Sequence, residues 1–559
     1  MKFTGSNVTK TIIFILLILQ NQDAFSQLLD QRKVFGRKDS LRGSLRAERE
    51  CFDVSYYDLE VAFDTLNSSI SGRNHIHFRV VEATQTIQID LEEKLVIDSI
   101  IWNQKVIPFK REYNAVFVQF PEKLQKASQQ IITVKYHGQP VIAKRAPWDG
   151  GFVWSRDKDG NLWAGVACEG LGASSWWPCK DHLSDEPDSM KISCIVPTGL
   201  KAVCNGNLVA EQKVNDKQTA FSWKVSYPIN TYNVTFNIGN YAHWSDTLKY
   251  RDGDILALDY YVMPYNLELS KKQFEQVKPM LLCYEKYLGK YPFIKDGYAL
   301  VETPYLGMEH QGAIAYGNKY RTGYDGKDFS RIGLDFDYII IHETGHEWWG
   351  NSVSCADIAD MWIHESFCTY SEAIYVECMH GKAKAKEYIN AKKSTVRNKA
   401  PIQGPYGVNE EGDGDMYNKG MLMLNTIRNI VGDDELWWQI IKGISDTAFK
   451  IKVTNADEII AFFNKKSGMN LTPVFHQYLK YAKLPVMAYS IKKKGKQFKL
   501  TYVWETDVAD FKMPVFIQNG KKLKRLEGSN AKSTVILEAN SIDDIQIATD
   551  LMFVETKKL

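Results

Sequence analysis

The sequence lacks an excess of charge of either sign. Its 69 Lys and Arg residues nearly balance 67 Asp and Glu residues, and the formal net charge is +2. Such a balance gives no reason to expect nucleic acid or an anionic membrane as a partner, and the basic run at residues 492–496 is typical of a solvated turn. Internal repeats and low-complexity tracts are also absent. We therefore expect an ordinary globular protein.

Closely spaced cysteine pairs are missing as well. The nine cysteines include no Cys-x-x-Cys motif, which excludes the usual cysteine-based zinc site. If the chain is exported, disulfides are permitted, and the odd number of cysteines leaves at least one thiol unpaired. Cys179, Cys194 and Cys204 are near enough in sequence to pair locally, and their spacing leaves the connectivity open.

The sequence also lacks an apolar run long enough to cross a membrane. The run at residues 11–19 follows two lysines and precedes small residues at Ala24 and Ser26. This order is typical of a secretory signal peptide, here residues 1–26. No cysteine follows closely, so a bacterial lipoprotein anchor is not expected. We predict export to the periplasm or the extracellular space, with no stable membrane span after cleavage; an uncleaved signal anchor is the alternative.

Length and patterning predict several domains. With 559 residues, 44% hydrophobic and 24% charged, the chain is long enough for about three or four. Residues 27–50 are a polar, loosely held lead-in. Short alternating strands predict an all-β domain over residues 51–245, longer helical stretches follow over residues 246–483, and strands return over residues 484–559 as a small β-sandwich. The predicted fold class is multidomain α+β.

Five elements of the middle region are predicted individually. Hydrophobic periodicity predicts helices over residues 270–287, 339–351, 365–380 and 419–430. A strand is predicted over residues 298–302, where it is expected to line a cleft.

The most informative segment is the motif His-Glu-Thr-Gly-His, which begins at His342 and ends at His346. Residues four apart on a helix project from one face about a turn apart, so the two imidazoles can share one metal ion. Two imidazoles favour zinc over harder cations. Glu343, beside the first imidazole, is positioned to accept a proton from a water that attacks a carbonyl and to deliver it to the leaving amine.

Two further acids complete the predicted site. Glu365 supplies a third protein ligand and leaves a fourth tetrahedral position open, as a catalytic zinc site requires. Glu372, seven residues later, returns to the same helix face and is expected to hydrogen-bond a ligating histidine. The alternative is a set of ordinary surface residues, because a five-residue match often arises by chance. The apolar segment 336–341 before the motif, and Trp348 and Trp349 after it, favour the metal site.

These residues resemble the M1 family of zinc aminopeptidases, which are gluzincins. The family carries the two-histidine helix and a glutamate 19 residues after the second histidine, where this chain has Glu365. It also has a Gly-x-Met-Glu-Asn strand shortly before the helix, and Gly307, Met308 and Glu309 occupy that place. The resemblance implies a thermolysin-like mixed catalytic domain.

The resemblance implies roles for residues outside the zinc helix. Glu309 is implied to grip the free α-amino group of the substrate, because a carboxylate binds an ammonium group. The strand departs from the family at Leu306 and His310, which stand for a Gly and an Asn, and this departure bears on how the substrate backbone is held.

Two more roles come from the resemblance. Glu169 is implied as the second acid of the amine site, with an ordinary loop acid as the alternative. Tyr417 precedes Lys419 and Gly420 as in the family's Tyr-x-Lys-Gly helix start, and it is implied to donate its hydroxyl to the tetrahedral oxyanion, where a hydrogen bond strengthens as charge develops.

The function that the resemblance implies is an exported, zinc-dependent aminopeptidase with one Zn²⁺ per chain, acting on peptides with a free N-terminus. Two alternatives remain: an epoxide hydrolase acting in the same cleft, as in one relative within the family, and a non-catalytic peptide-binding protein. Endopeptidase activity is disfavoured by the two amine-binding acids. Many members also carry a C-terminal helical domain after the β-sandwich; without it, we expect a more open cleft or a partner that closes it.

Overall fold

The computed structural model describes residues 34–328 and 335–559. The predicted signal peptide, residues 1–26, lies outside these ranges, as does the start of the lead-in. None of the helices in the described ranges has the length and apolar character needed to cross a membrane.

The N-terminal region is built almost entirely of strands. Their bounds are β1 Phe52–Asp64, β2 Ser69–Val80, β3 Thr84–Asp90, β4 Leu95–Trp102, β5 Lys105–Ile107, β6 Phe109–Glu112, β7 Ala115–Leu124, β8 Gln129–Gly138, β9 Gly151–Arg156, β10 Leu162–Ala167, β11 Ser189–Pro197, β12 Lys201–Cys204, β13 Asn207–Asn215, β14 Gln218–Val225 and β15 Phe236–Gly239. They form an eight-stranded sheet in the order β13-β14-β11-β1-β2-β8-β4-β5, a four-stranded sheet β12-β15-β10-β9 and a three-stranded sheet β3-β7-β6.

Alternating side chains explain why these segments pair as sheets. In β1, Leu59, Val61 and Phe63 are buried while the residues between them are partly exposed, so one face of the strand lies on the core. Trp176 and Trp177, on the connection between β10 and β11, are also fully buried in this core. The predicted all-β character of this region is confirmed.

The middle region combines a sheet with helices. Its strands are β16 Ala242–Lys249, β17 Ile255–Val262, β18 Tyr298–Glu302, β19 Gly307–Met308, β20 Ile314–Tyr316, β21 Val353–Cys355 and β22 Lys452–Thr454. The first five form one sheet in the order β16-β17-β18-β20-β19, which leaves β19 at an edge. The last two pair with each other.

Helices cover that sheet and supply most of the core. Numbered from the start of the described chain, they are α1 Arg37–Gly43, α2 Ala47–Glu50, α3 Leu267–Gln273, α4 Val277–Leu288, α5 Tyr338–Gly345, α6 Trp362–His380, α7 Lys382–Ala391, α8 Asn418–Val431, α9 Asp434–Gly443, α10 Ala456–Ser467 and α11 Thr472–Lys480. Helix α6 lies at the centre, in contact with α4, α5, α7 and α8. Its first fifteen residues are all buried, so a single apolar stripe is not expected there.

The C-terminal region is a small pair of sheets. Its strands are β23 Val486–Lys494, β24 Gln497–Glu505, β25 Val515–Asn519, β26 Lys522–Leu526, β27 Ser533–Leu537, β28 Ile545–Ile547 and β29 Glu555–Lys558. One sheet has the order β27-β24-β23-β29 and the other β26-β25-β28. With the two preceding regions, these strands confirm the multidomain α+β fold class.

Three sequence expectations need correction. The predicted helix over residues 339–351 ends at Gly345, because His346 Nδ1 donates to the carbonyl of Trp349 (2.8 Å) and the chain then turns at Gly350, where φ is 117°. The predicted helix over residues 270–287 is broken by a 3₁₀ turn at Phe274–Gln276. The lead-in is not loosely held where it is described, since Arg49 is fully buried against the N-terminal sheets.

Candidate metal centre and active site

Helix α5 begins at a buried acid. Asp337 caps the helix, with Oδ1 accepting from the amide of Ile339 at 3.1 Å. The same carboxylate also accepts hydrogen bonds from Gln273, Tyr316 and Asn318, each at 2.7 Å. Sequence reasoning did not include Asp337 in the site, although an acid directly before an apolar helix start is a capping signal. This network fixes the start of helix α5, and with it the positions of the two motif histidines.

The two motif histidines present matching ring nitrogens to one point. His342 Nε2 and His346 Nε2 are 3.3 Å apart, and both residues are at least 95% buried. Each Nδ1 is occupied: His342 Nδ1 donates to Glu372 Oε1 at 2.8 Å, and His346 Nδ1 donates to the carbonyl of Trp349 at 2.8 Å. Donation from Nδ1 leaves each Nε2 with a free lone pair for a metal ion.

Glu365, on helix α6, provides the third corner of a triangle of ligand atoms whose other corners are the two Nε2 atoms. Its Oε2 lies 3.6 Å from His342 Nε2 and 3.5 Å from His346 Nε2. Two ligand atoms each about 2.1 Å from a tetrahedral zinc ion are separated by about 3.4 Å, so the triangle has the right size. The same Oε2 is buried and has no hydrogen-bond partner among the described residues, which is a defect unless an ion binds there.

Cys368 is a competing third ligand by distance. Candidate ligand atoms of His342, His346 and Cys368 lie within 4.8 Å of one another. The Cys368 thiol, however, donates to the backbone carbonyl of His342 at 2.8 Å, so its hydrogen-bonding capacity is used. We assign the third ligand to Glu365, because its carboxylate oxygen is nearer both imidazoles and is otherwise unsatisfied.

Glu343 lies beside the triangle and against a glycine. A methyl group on Gly307 would stand 2.7 Å from Glu343 Oε1, so the carboxylate rests directly on the Gly307 backbone. Burial raises the pKa of Glu343 to about 7, although His342 and His346 oppose the shift. A carboxyl group with a pKa near neutrality is suited to take up and release a proton.

Two tyrosines stack on the ring of His342. Tyr338, one turn earlier on α5, is nearly parallel to it at 5.4 Å between ring centroids, and Tyr417 is 6.0 Å away at an angle of 23°. Burial, followed by Glu365 and Glu169, raises the pKa of Tyr417 well above its ordinary value. The phenol therefore stays a hydrogen-bond donor. Sequence reasoning missed Tyr338, although its spacing of four from His342 places both on one helix face.

Two more acids face the same space. Glu309 is buried and accepts a hydrogen bond from the Tyr232 hydroxyl at 3.0 Å. Glu169 comes from the N-terminal region, and its Oε1 is buried without a hydrogen-bond partner in the described ranges. Burial, and then repulsion by Glu309, raises the pKa of Glu169 well above its ordinary value. Within the described ranges, Glu169 Oε1 therefore has no cationic side chain bound to it. Tyr232, which no motif signalled, orients one of the two.

Strand β19, directly before Glu309, lies at the edge of its sheet. Gly307 and Met308 pair with β20 on one side only, and Met308 is buried. His310 is fully buried, and neither of its ring nitrogens has a hydrogen-bond partner in the part of the chain that the structure describes. Burial lowers the pKa of His310 to about 3, so its imidazole is neutral.

One cavity of about 730 Å³ joins these parts. The predicted site residues on its wall are Glu169, Gly307, Met308, Glu309, His342, Glu343, His346, Glu365 and Tyr417. Glu372 stays behind the wall as the partner of His342. Trp148, Leu171 and Glu411 also line the cavity, and they come from loops distant in sequence that carry no motif.

Two family models match this chain. Residues 54–233 match the Peptidase M1 N-terminal domain, and residues 272–478 match the Peptidase family M1 domain. Together the two matches cover most of the chain. The chain belongs to the M1 peptidase family.

Named relatives share this M1 architecture at low identity. The leucyl aminopeptidase of Saccharolobus solfataricus is 22% identical over 495 residues, which are 85% of this chain and 60% of that protein. The tricorn protease-interacting factor F2 of Thermoplasma acidophilum is 23% identical over 529 residues, 89% of this chain and 63% of that protein. This M1 chain therefore spans a little over three fifths of these relatives' length.

A solved structure has the same fold. A mutant M1 zinc metallopeptidase from Deinococcus radiodurans, bound to a Tyr-Ser-Ala substrate, superposes with a TM-score of 0.66 at 18% identity. The match covers 80% of this M1 chain and 98% of that chain.

Proposed function

We propose that this M1 family member is a zinc-dependent aminopeptidase that removes the N-terminal residue from peptides. One observation carries the proposal: a ligand triangle of zinc dimensions shares a cavity with two carboxylates, one buried and one with a buried oxygen that has no partner in the described ranges. Those carboxylates belong to Glu169 and Glu309. The triangle supports hydrolysis, and the acids support a substrate with a free amine.

His342, His346 and Glu365 would hold one zinc ion per chain. The fit rests on the triangle edges of 3.3 to 3.6 Å and on the unsatisfied Glu365 Oε2. Glu372 holds the His342 ring in the tautomer that a ligand needs. When bound, zinc acts as a Lewis acid toward the scissile carbonyl and the attacking water.

The protein's own groups handle the protons and the charge. Glu343 accepts a proton from the attacking water and returns it to the departing amine, a role that its position beside the triangle supports. Tyr417 donates its hydroxyl to the oxyanion that develops at the carbonyl. Gly307 leaves the space in which the Glu343 carboxylate lies.

Glu309 and Glu169 would bind the substrate's ammonium group. Two carboxylates at one end of the cavity bind a cation better than either alone, and a charged hydrogen bond is among the stronger ones. An amine fixed there, one residue from the metal triangle, would make the first peptide bond the one that is cut. The free edge of β19 can pair with the extended substrate backbone.

Export is part of the same proposal. It rests on the signal-like pattern of residues 1–26, with basic residues, a short apolar core, and small residues at Ala24 and Ser26. The relevant measurement is the N-terminal sequence of the protein recovered from a native secretion fraction. A start at Gln27 is expected, whereas a retained Met1 in a cytoplasmic fraction would contradict export.

The proposed activity is tested with a panel of aminoacyl-anilides, assayed with metal content before and after chelation. We expect about one zinc per chain, cleavage that chelation abolishes, and recovery when zinc is restored. Bound zinc without hydrolysis of any substrate in the panel would contradict the aminopeptidase. Product analysis on an epoxide substrate and peptide binding without turnover would then identify the two alternative functions.

A further inference from the structure

A short segment near the start of the described chain lies directly behind the amine site. Residues 41–49, here called the strap, run from the end of α1 into α2. On one side they contact the turn at residues 168–172, which carries Glu169. On the other side they contact the loop at residues 404–411 of the middle region. The strap therefore touches both walls that meet at the amine-binding end of the cavity.

Arg42 is the contact to the Glu169 turn. Its Nη2 lies 3.0 Å from Asp181 Oδ2, and its Nη1 donates to the Asp181 carbonyl. A methyl group on Gly172 would stand 1.9 Å from Arg42 Nη2, so the guanidinium lies close against the Gly172 backbone. Gly172 closes the turn by donating its amide to the Cys168 carbonyl at 2.6 Å. The guanidinium thus supports the turn from behind.

Gly43 is the contact to the loop. A methyl group there would stand 2.1 Å from the carbonyl carbon of Val408 and 2.3 Å from the amide nitrogen of Asn409. Two backbones meet at this point with no room for a side chain. Ser44 Oγ also donates to the Gly407 carbonyl at 2.6 Å. The strap is therefore joined to the loop at consecutive residues.

The strap is itself held firmly to the N-terminal sheets. Arg49 is fully buried, and its guanidinium bonds Asp90 Oδ2 at 2.7 Å. The same guanidinium donates to the carbonyls of Arg42 and Ser44 at 2.9 and 3.1 Å. His182 Nε2 donates to the Gly43 carbonyl at 3.2 Å. These bonds shape the strap backbone between its two contacts.

Glu169 depends on this support because its own side chain has little hydrogen bonding to hold it. Its Oε1 has no hydrogen-bond partner in the described ranges. On the far side of the turn, Asn409 Nδ2 donates to the Gly170 carbonyl at 3.3 Å. The turn is therefore in contact both with Arg42 of the strap and with the loop at residues 404–411, which itself contacts the strap.

We propose that the strap positions Glu169 for binding of the substrate amine, with Arg42 as its main positioning residue. This inference rests on the proposed aminopeptidase function. Loss of the Arg42 guanidinium would leave Glu169 in place but less well held. An interaction made equally in the bound substrate and the transition state changes KM rather than kcat, so the effect should fall on KM.

The test compares Arg42→Ala, Arg42→Lys and Arg37→Ala. Arg37 lies on the same helix α1 and makes an exposed ion pair with Glu112 at 2.9 Å, so it controls for loss of a surface charge. For free-amine anilides, we expect Arg42→Ala to raise KM about tenfold with kcat changed less than about twofold. Arg42→Lys should recover part of the loss, and Arg37→Ala should match the unmodified protein. A KM for Arg42→Ala equal to that of Arg37→Ala would overturn the proposal.

A second pair of variants tests the loop contact. Gly43→Ala must push the strap from residues 408–409, whereas a methyl group on Gly36 meets its nearest atom at 3.8 Å. We expect Gly43→Ala to raise KM and Gly36→Ala to leave it unchanged. A parallel loss of kcat and thermal stability with unchanged KM in Gly43→Ala would overturn the positioning role.

Hydrogen exchange separates the strap from the proposed activity. Amides of residues 168–172 should exchange faster in Arg42→Ala than in Arg37→Ala, with or without zinc. Equal exchange in the two variants would overturn the strap proposal. If the unmodified protein cleaves no free-amine substrate, the proposed function fails, and this exchange measurement still decides whether Arg42 holds the turn.

Discussion

The backbone of Gly307 lies in contact with the carboxylate of Glu343, close enough that a methyl group on the glycine would stand 2.7 Å from Oε1. The same methyl group would stand 2.8 Å from Ile339 Cγ2, so it would clash with both side chains. The glycine of the substrate strand and the acid of the zinc helix are therefore one structural unit.

Gly307→Ala should displace the Glu343 carboxylate and lower kcat by at least about tenfold, because misplacement of a catalytic group by a fraction of an ångström is expensive. Metal content should stay at the level of the unmodified protein, since the ligand triangle does not touch Gly307. Steady-state kinetics with metal analysis provides the test. Full kcat in this variant would show that the carboxylate tolerates the shift.

Glu343→Gln and Glu365→Ala should separate catalysis from metal binding. Glu343 is outside the ligand triangle, so Glu343→Gln should retain zinc and lose about 10²- to 10⁴-fold in kcat. Glu365→Ala removes one of three ligands and should lose zinc as well as turnover. Metal analysis after dialysis distinguishes the two. Full activity in Glu343→Gln would disprove the proton-transfer role.

Sequence reasoning was strongest where chemistry demands a fixed spacing. The four-residue step from His342 to His346 follows from helix geometry, and strand β18 has the predicted bounds of residues 298–302. Glu365 was predicted from the need for a third ligand and from the resemblance to the M1 family. Trp148 and Glu411 were missed because tertiary folding alone brings their loops to the cavity. Local pattern could not foresee this.

The end of the zinc helix shows a different limit. Residues 346–351 keep a helix-like apolar spacing, yet the chain leaves the helix because the His346 ring bonds the carbonyl of Trp349. The lead-in shows the same limit. Its polar composition predicted a loosely held segment, but the buried ion pair between Arg49 and Asp90 holds it against the N-terminal sheets. Composition does not reveal a buried ion pair whose partner lies 41 residues away.

Glu372→Ala should weaken zinc binding about 10- to 100-fold, because the His342 ring loses the acceptor that orients it. Competition with a chromophoric chelator measures this affinity. Glu387→Ala is the control, since Glu387 pairs with Lys384 on an exposed face of α7. Equal affinities for zinc in the two variants would contradict the orienting role of Glu372.

The cap of helix α5 should make stability depend on pH. Burial raises the pKa of Asp337 from 3.8 to about 6, although its hydrogen bonds from Gln273, Tyr316 and Asn318 oppose the shift. The folded state thus holds the proton more tightly than the unfolded state. This stabilisation is present at low pH and is lost as pH rises through about 6.

Comparison with Asp337→Asn isolates that effect, because the amide does not ionise. Relative to Asp337→Asn, the unmodified protein should lose about 3 kcal/mol of stability between about pH 3 and about pH 7. Denaturant unfolding of both proteins across this range provides the measurement. A difference in stability that stays constant with pH would mean that Asp337 has an ordinary pKa.

The most direct test of the account is cleavage of one peptide with a free N-terminus and of the same peptide after acetylation, with the products identified by mass spectrometry. Glu169 and Glu309 bind an ammonium group in this account, so the free peptide should lose its first residue and the acetylated peptide should remain intact. Cleavage of the acetylated peptide at a comparable rate would contradict the assignment of these acids to the substrate amine, and with it the aminopeptidase function.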